Sequence, residues 1–308
     1  MNFLLLELAL IASISATFPH LPAIYAPDPS VPSWNSDHWT TNKARDLTPR
    51  DWYDKTGLSQ RRGKGPVLSI SEGVLTMSGE QPRLYLNPWI KSDGRHWSLK
   101  EERQRLAASK PLRFYKNTEV TVYYKRSGTD GAAYAGLVIG CRSSPNGHTS
   151  SKLYHEDAHT YYVKFRHDGG VQFVKEVTHP EIVVQSIGDL FSGEALPQNE
   201  WIGMKFTVYN LDANRVKLEV YIDRTSEAEP DKITDSDNWK KVGEMTDDGT
   251  NFVATTIGDV DGESAITEGG GVVFIRNSGI AKAEYKFLQV TEIKTPVQQL
   301  FVPDDFES

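Results

Sequence analysis

The 308-residue chain carries 34 basic against 41 acidic residues, a formal charge of −7, which argues against broad affinity for nucleic acid. Hydrophobic residues make up 38% and aromatics 10%, enough to bury a core and too many for a wholly disordered chain. The single cysteine, Cys141, excludes an intramolecular disulfide and a cysteine-based zinc cluster, and burial in the strand that ends GLVIGC is its expected place.

At the N-terminus, MNFLLLELALIASISATF is the longest apolar stretch, interrupted by Glu7 and short for a bilayer span. Ser13, Ser15 and Ala16 offer a cleavage site, so residues 1–18 read as a signal peptide of a secreted, extracellular protein, with a buried first helix as the other reading. No other segment has the length and apolarity to cross a membrane as a helix. Residues 19–66 contain Pro19, Pro22, Pro27, Pro29, Pro32 and Pro49, three tryptophans and little periodicity, which predicts an extended arm wrapped over a core that other segments build.

From Val67 the pattern changes to short period-two runs rich in Val, Ile, Tyr and Phe: VLSISEGVLTMSG, PRLYLN, NTEVTVYYKR, GAAYAGLVIGC, HTYYVKFRHDGGVQFVKEV, GMKFTVYN, VKLEVYIDR, GVVFIRN and EYKFLQVTEI. Bounded by Gly, Asn and Asp, they predict an all-β sandwich of two antiparallel sheets over residues 67–295, with 296–308 as a C-terminal tail. The exception is SLKEERQRLAAS, where Ser98 and Glu101 form a capping box and predict one short helix. A three-residue Asp168-Gly169-Gly170 loop would pair Phe165 with Phe173. Tyr161, Val163 and Phe165 then point one way, and Tyr162, Lys164 and Arg166 the other, with Gln172 opposite Arg166 and Glu176 opposite Tyr162.

The order GMKFTVYN, turn, VKLEVYID, then GGGVVFIRN and EYKFLQVTEI resembles the closing strands of the concanavalin A-like jelly rolls, which include laminin-G-like carbohydrate-binding modules and several polysaccharide lyases. The block Asn117–Ile293, with GLVIGCRSSPNGH, DAHTYYVKFRHDGG and ITEGGGVVFIRNSG, is also similar to a group of uncharacterised secreted jelly-roll proteins. The resemblance implies a jelly-roll sandwich and leaves the chemistry open, because this fold serves binding and catalysis alike. The E-x-D-x-E strand of jelly-roll glucanases does not occur, and the R-T-E-L-R, Q-I-H and Y-x-K-x-x-x-Y elements of alginate lyases are not recognisable.

The densest polar cluster is His148, His155, Glu156, Asp157, His159, Tyr161, Tyr162, Lys164, Arg166 and His167. Tyr162, Lys164 and Arg166 alternate onto one strand face, the display required of a concave glycan groove, and the plain alternative is a solvated sheet face. Glycan recognition would use Tyr162, Lys164, Arg166, Gln172 and His148, with Trp89 and Trp97 as stacking aromatics in an irregular polar loop; Trp201 and Trp239 lie in or beside the sandwich, Trp201 more as core. If the protein is instead a lyase acting on a uronic-acid polymer by β-elimination, Arg166 or Lys164 would neutralise the carboxylate. His159 or His155 would take the C5 proton, and Tyr162 would protonate the leaving oxygen. A non-glycan structural or interaction protein is the third reading.

No cofactor is required by these roles. His155, Asp157 and His159 share a strand face and have the residue types of a zinc site, against which stand their ordinary turn and capping bonds. Asp259, Asp261 and Glu263 in GDVDGES offer alternating oxygen ligands for a structural calcium, without the length of an EF-hand loop. GGG at 269–271 precedes a strand and is no phosphate loop, and no G-x-S-x-G supports a serine hydrolase. A polysaccharide partner and a monomer are expected.

Overall fold

The computed structural model describes residues 21–31, 33–36, 52–54, 67–78, 82–86, 115–129, 131–132, 135–143, 160–178, 181–224, 238–252, 264–268 and 272–296. The helix expected at SLKEERQRLAAS lies outside them. Two short strands, β1 (Trp34–Asn35) and β2 (Trp52–Asp54), precede β3 (Val67–Ser71), β4 (Val74–Ser78) and β5 (Arg83–Leu86). Then come β6 (Thr118–Ser127), β7 (Gly136–Ser143), β8 (Thr160–Arg166), β9 (Gly170–Thr178) and β10 (Glu181–Asp189). β11 (Ile202–Asn210), β12 (Val216–Asp223) and β13 (Lys240–Asp247) lead to the closing pair β14 (Val272–Ser278) and β15 (Lys282–Glu292).

These strands form a two-sheet antiparallel jelly-roll sandwich. One sheet runs β13-β12-β11-β6-β15-β4-β3, with β1 also paired to β15; the other runs β10-β9-β8-β7-β14-β5-β2. Period-two alternation decides which side chains meet between the sheets: Val163, Phe165 and Phe173 from one, Met204, Phe206 and Val208 from the other, all buried. Phe173 stacks on Phe206 with ring centroids 6.0 Å apart. Burying each such side chain contributes about 1.5–3 kcal/mol, so a core of this size holds the sandwich without a disulfide. Cys141 is buried in that core, and burial raises its thiol well above the usual range.

The β8–β9 hairpin differs from the register expected. Lys164 pairs with Gln172 and Tyr162 with Val174, while Phe165 faces Val171. The loop is His167-Asp168-Gly169: Gly169 takes the left-handed conformation at φ 90°, and its N–H donates to Arg166 O at 3.1 Å. Starting the loop one residue earlier moves every partner by two, so the faces stay as alternation predicts. Tyr161, Val163 and Phe165 are fully buried in the interior, while Lys164 and Arg166 remain half-exposed.

At the end of β7 a bulge turns Arg142 inward, at φ 58° and fully buried. Its guanidinium donates to Lys116 O at 2.9 Å and Ile266 O at 2.6 Å. The Glu292 carboxylate, at the end of β15, accepts the N–H groups of Lys116 at 2.7 Å and Asn117 at 2.9 Å. One buried cation and one buried carboxylate thus tie the approach to β6 into both sheets.

Candidate functional site

Each sheet has an outer face rich in polar and aromatic residues, and the two differ in what lies on them. On the eight-stranded sheet, β6, β11 and β12 carry Glu119, Thr121, Tyr123, Lys205, Thr207, Glu219, Tyr221 and Asp223, all buried. Lys205 donates to Glu119 at 2.8 Å and Thr121 at 2.6 Å, and its ammonium stands 4.5 Å from the Trp239 ring centroid. The arm then closes over them. The Ile24 N–H donates to Glu119 Oε2 at 2.9 Å, the Tyr25 hydroxyl to Glu219 Oε2 at 2.6 Å, and Leu21 joins the cluster of Tyr123, Tyr221 and Trp239. The buried carboxylates of this face, Glu119, Glu219 and Asp223, thus find their partners within the chain.

The outer face of the seven-stranded sheet is built as two rows running across the strands. Antiparallel register sets Gln172, Lys164, Val138 and Arg276 side by side on β9, β8, β7 and β14. The next row is Val184, Val174, Tyr162, Gly140 and Phe274. Neighbouring strands lie roughly 4.8 Å apart, which puts the backbones under Lys164 and Arg276 about 10 Å from each other. Arg83 and Tyr85 hold the following register positions on β5.

Gly140 lets the aromatic row close. A Cβ there would stand 2.0 Å from Cε1 of Phe274, so only glycine admits that ring. The Phe274 ring then tilts against Tyr162 with centroids 6.2 Å apart, and the Arg276 guanidinium sits 5.5 Å from the Tyr162 ring. Tyr162 is only 5% exposed, so its ring forms the floor of this face. At the β10 end the row finishes in the exposed Val184 at 41%, and Ile182, at 48%, stands two residues before it in the neighbouring row.

Positive charge gathers above that floor. Burial, then Arg276, then Arg166 lower Lys164 to about 8, while Asp168 acts the other way. Arg166 is committed to the turn, its Nε 3.0 Å from Asp168 Oδ1 and its Nη2 bonded to Oδ2. Gln172 donates to Ser186 at 3.3 Å. The structure therefore brings Tyr162, Lys164, Arg166 and Gln172 onto one face and adds two residues that sequence reasoning missed, Phe274 and Arg276. GVVFIRN shows the period-two signal that puts them outward; what it lacks is any indication that β14 runs beside β7.

Other candidates fall elsewhere. Tyr161 points into the interior, and His167 turns back onto the chain, its Nδ1 3.2 Å from Ala135 O. Trp201 is half-buried between Lys125 and Lys286, whose ammonium groups lie 4.7 and 4.4 Å from its ring centroid, and Trp239 is buried. His148, His155, Asp157, His159, Trp89, Trp97, Asp259, Asp261 and Glu263 lie outside the described residues. Among the described residues no group of three or more His, Cys, Asp or Glu is placed to hold a metal, and no helix is long and apolar enough to cross a membrane.

No protein-family model matches the chain, and no curated protein matches its sequence. Solved structures similar to it include a Bacillus subtilis protein of unknown function with a galectin-like fold, at 12% identity and a TM-score of 0.43, covering 85% of this chain and 96% of that one. A PL-14 alginate lyase from Aplysia kurodai matches at 10% identity and a TM-score of 0.37, over 85% of this chain and 90% of its own. An endo-β-galactosidase from Clostridium perfringens matches at 11% and 0.43, over 89% of this chain and 65% of its own. No residue assignment follows from identities this low.

Proposed function

We propose that this is a secreted protein that binds an acidic polysaccharide across the outer face of its seven-stranded sheet. The observation that carries the reading is the gathering of Lys164 and Arg276 on one face beside the turn-bound Arg166, where burial first and then the two guanidiniums lower the lysine. Holding like charges together costs free energy, and an anionic ligand lying on them offsets it. Tyr162 and Phe274 pack tilted against each other beneath the cations, both nearly fully buried, and Gln172 supplies a neutral hydrogen-bonding edge. The ligand class is acidic because the cations are gathered on this face while the chain as a whole is at −7.

Affinity electrophoresis through gels containing acidic or neutral polysaccharides tests this directly. Acidic polymers should retard the wild type, and Lys164→Ala/Arg276→Ala should run unretarded with an unchanged circular-dichroism spectrum. Equal retardation of both proteins would refute this face as the binding site, and no retardation of the wild type by any polymer would leave an interaction protein without a glycan ligand.

A second reading, a polysaccharide lyase, is favoured by one feature: an amine held near 8 on the same face as a tyrosine. Lys164 would then serve as the base and Tyr162 as the acid in β-elimination. Incubation with uronic-acid polymers would generate near-ultraviolet absorbance from the new conjugated double bond. Its absence with a polymer the protein binds removes this reading and leaves binding.

A further inference from the structure

We propose that Lys175 and Asp247 become joined by an intramolecular amide that links the two sheets covalently. The site lies inside the sandwich and does not depend on the outer-face ligand. Lys175 points inward from β9 and Asp247 from the end of β13, one on each sheet, with both side chains 0% exposed and Nζ 2.9 Å from Oδ2.

The surrounding groups match the needs of acyl transfer. The Tyr161 hydroxyl donates to Oδ2, the oxygen that must leave, and itself accepts the Ile266 N–H at 2.7 Å. The Gly249 N–H donates to Oδ1 at 3.0 Å, placed to hold negative charge on that oxygen. Ser264 O accepts from Nζ at 2.6 Å and fixes the amine, while the Phe252 ring, 5.8 Å from Nζ, adds an apolar wall. A nucleophile, an oxyanion donor and an acid are thus assembled around one carboxyl carbon.

The step balances with no co-reactant. Inside the pair one ammonium proton passes to Oδ2, giving a neutral amine and a carboxylic acid. The Nζ lone pair bonds to Cγ, with charge developing on Oδ1 beside the Gly249 N–H. Tyr161 gives its proton to Oδ2 and regains one from nitrogen. The Cγ–Oδ2 bond breaks and one water leaves. The other buried pair, Lys205 with Glu119, lacks this arrangement: among the described residues no hydroxyl donates to Glu119, and the Lys205 ammonium is drawn instead to Thr121 Oγ1 and the Trp239 ring.

Mass spectrometry of the folded full chain decides the matter. Proteolysis should yield the segment bearing Lys175 joined to the one bearing Asp247, together lighter by one water than their sum. Tyr161→Phe, which keeps the ring, should slow appearance of the link on the order of a hundredfold during refolding. Separate, unmodified segments from folded wild type would overturn the proposal. So would a water deficit confined to Asp248-Gly249 and reversed by mild base, the mark of a succinimide. Equal rates for Tyr161→Phe and wild type would overturn the part assigned to Tyr161.

Discussion

Lys164 is the residue on which the binding reading turns, and its protonation gives that reading a pH dependence. Burial, Arg276 and Arg166 lower it to about 8, so the free protein loses this charge as pH rises through 8. A bound polyanion favours the ammonium and raises the value in the complex, so binding takes up a proton. Affinity for an acidic polymer should therefore fall as pH goes from 7 to 9, and in Lys164→Met the remaining, weaker binding should be flat over that range; calorimetric titration in buffers of different ionisation enthalpy measures the proton uptake. Gly140 sets the floor in the same way that Lys164 sets the charge. Gly140→Ala drives a methyl into the Phe274 ring, which is already against Tyr162, and should destabilise the protein by about 1–3 kcal/mol in urea unfolding. Neither Gly140 nor Arg276 is legible as a site residue in the sequence. Tyr162, Lys164 and Arg166 are, because alternation within one strand can be read locally; membership of a row that crosses four strands depends on which strands lie side by side.

The same division runs through the strands. The long runs from NTEVTVYYKR onward are legible because each buries one face against an apolar core and alternates accordingly, and β6, β8, β11, β12 and β15 fall where those runs lie. The β8–β9 register is less so, since HDGG offers two glycines for one left-handed position and choosing Gly169 over Gly170 shifts every pair by two. β1 and β2 have two and three residues, too short to show a period at all. The arm's role likewise comes from tertiary contact. In sequence Tyr25 is one more aromatic among prolines, yet it closes the outer face of the eight-stranded sheet by donating to Glu219 and packing edge-on to Tyr209, ring centroids 5.2 Å apart. Removing that hydroxyl takes a 2.6 Å bond from a buried carboxylate that Lys241, Tyr221 and Thr207 still hold. Tyr25→Phe should cost about 1–2 kcal/mol, and amide exchange should rise at Ile24, whose N–H is anchored on the neighbouring Glu119.

For the molecule as a whole, charge and burial act at two levels. The cations of the outer face work against a net −7, so added salt screens a local attraction together with a global repulsion, and the balance depends on how close the ligand lies. Stability has a clearer electrostatic signature, located where the arm, the approach to β6 and the end of β15 meet. There Asp28 N–H donates to Glu292 O at 2.8 Å, and the Glu292 side chain is buried. Burial raises Glu292 from the ordinary 4.5 to about 7, against the opposing pull of the Asn117 and Lys116 N–H groups and of Arg142, and with help from Asp28. The folded state thus keeps this proton to higher pH than the unfolded chain. Its contribution to stability is fully present below about 4.5 and is lost as pH rises through 7, a swing of about 3 kcal/mol at roughly 1.4 kcal/mol per unit. Glu292→Gln loses one of the two amide bonds at every pH, a constant offset, but has no proton to release. Urea midpoints taken from pH 4 to 8 should show the wild type losing stability relative to the variant by about that amount, most steeply between pH 5 and 7. Parallel curves would mean that Glu292 stays ionised throughout, with Arg142 and the two backbone amides outweighing its burial.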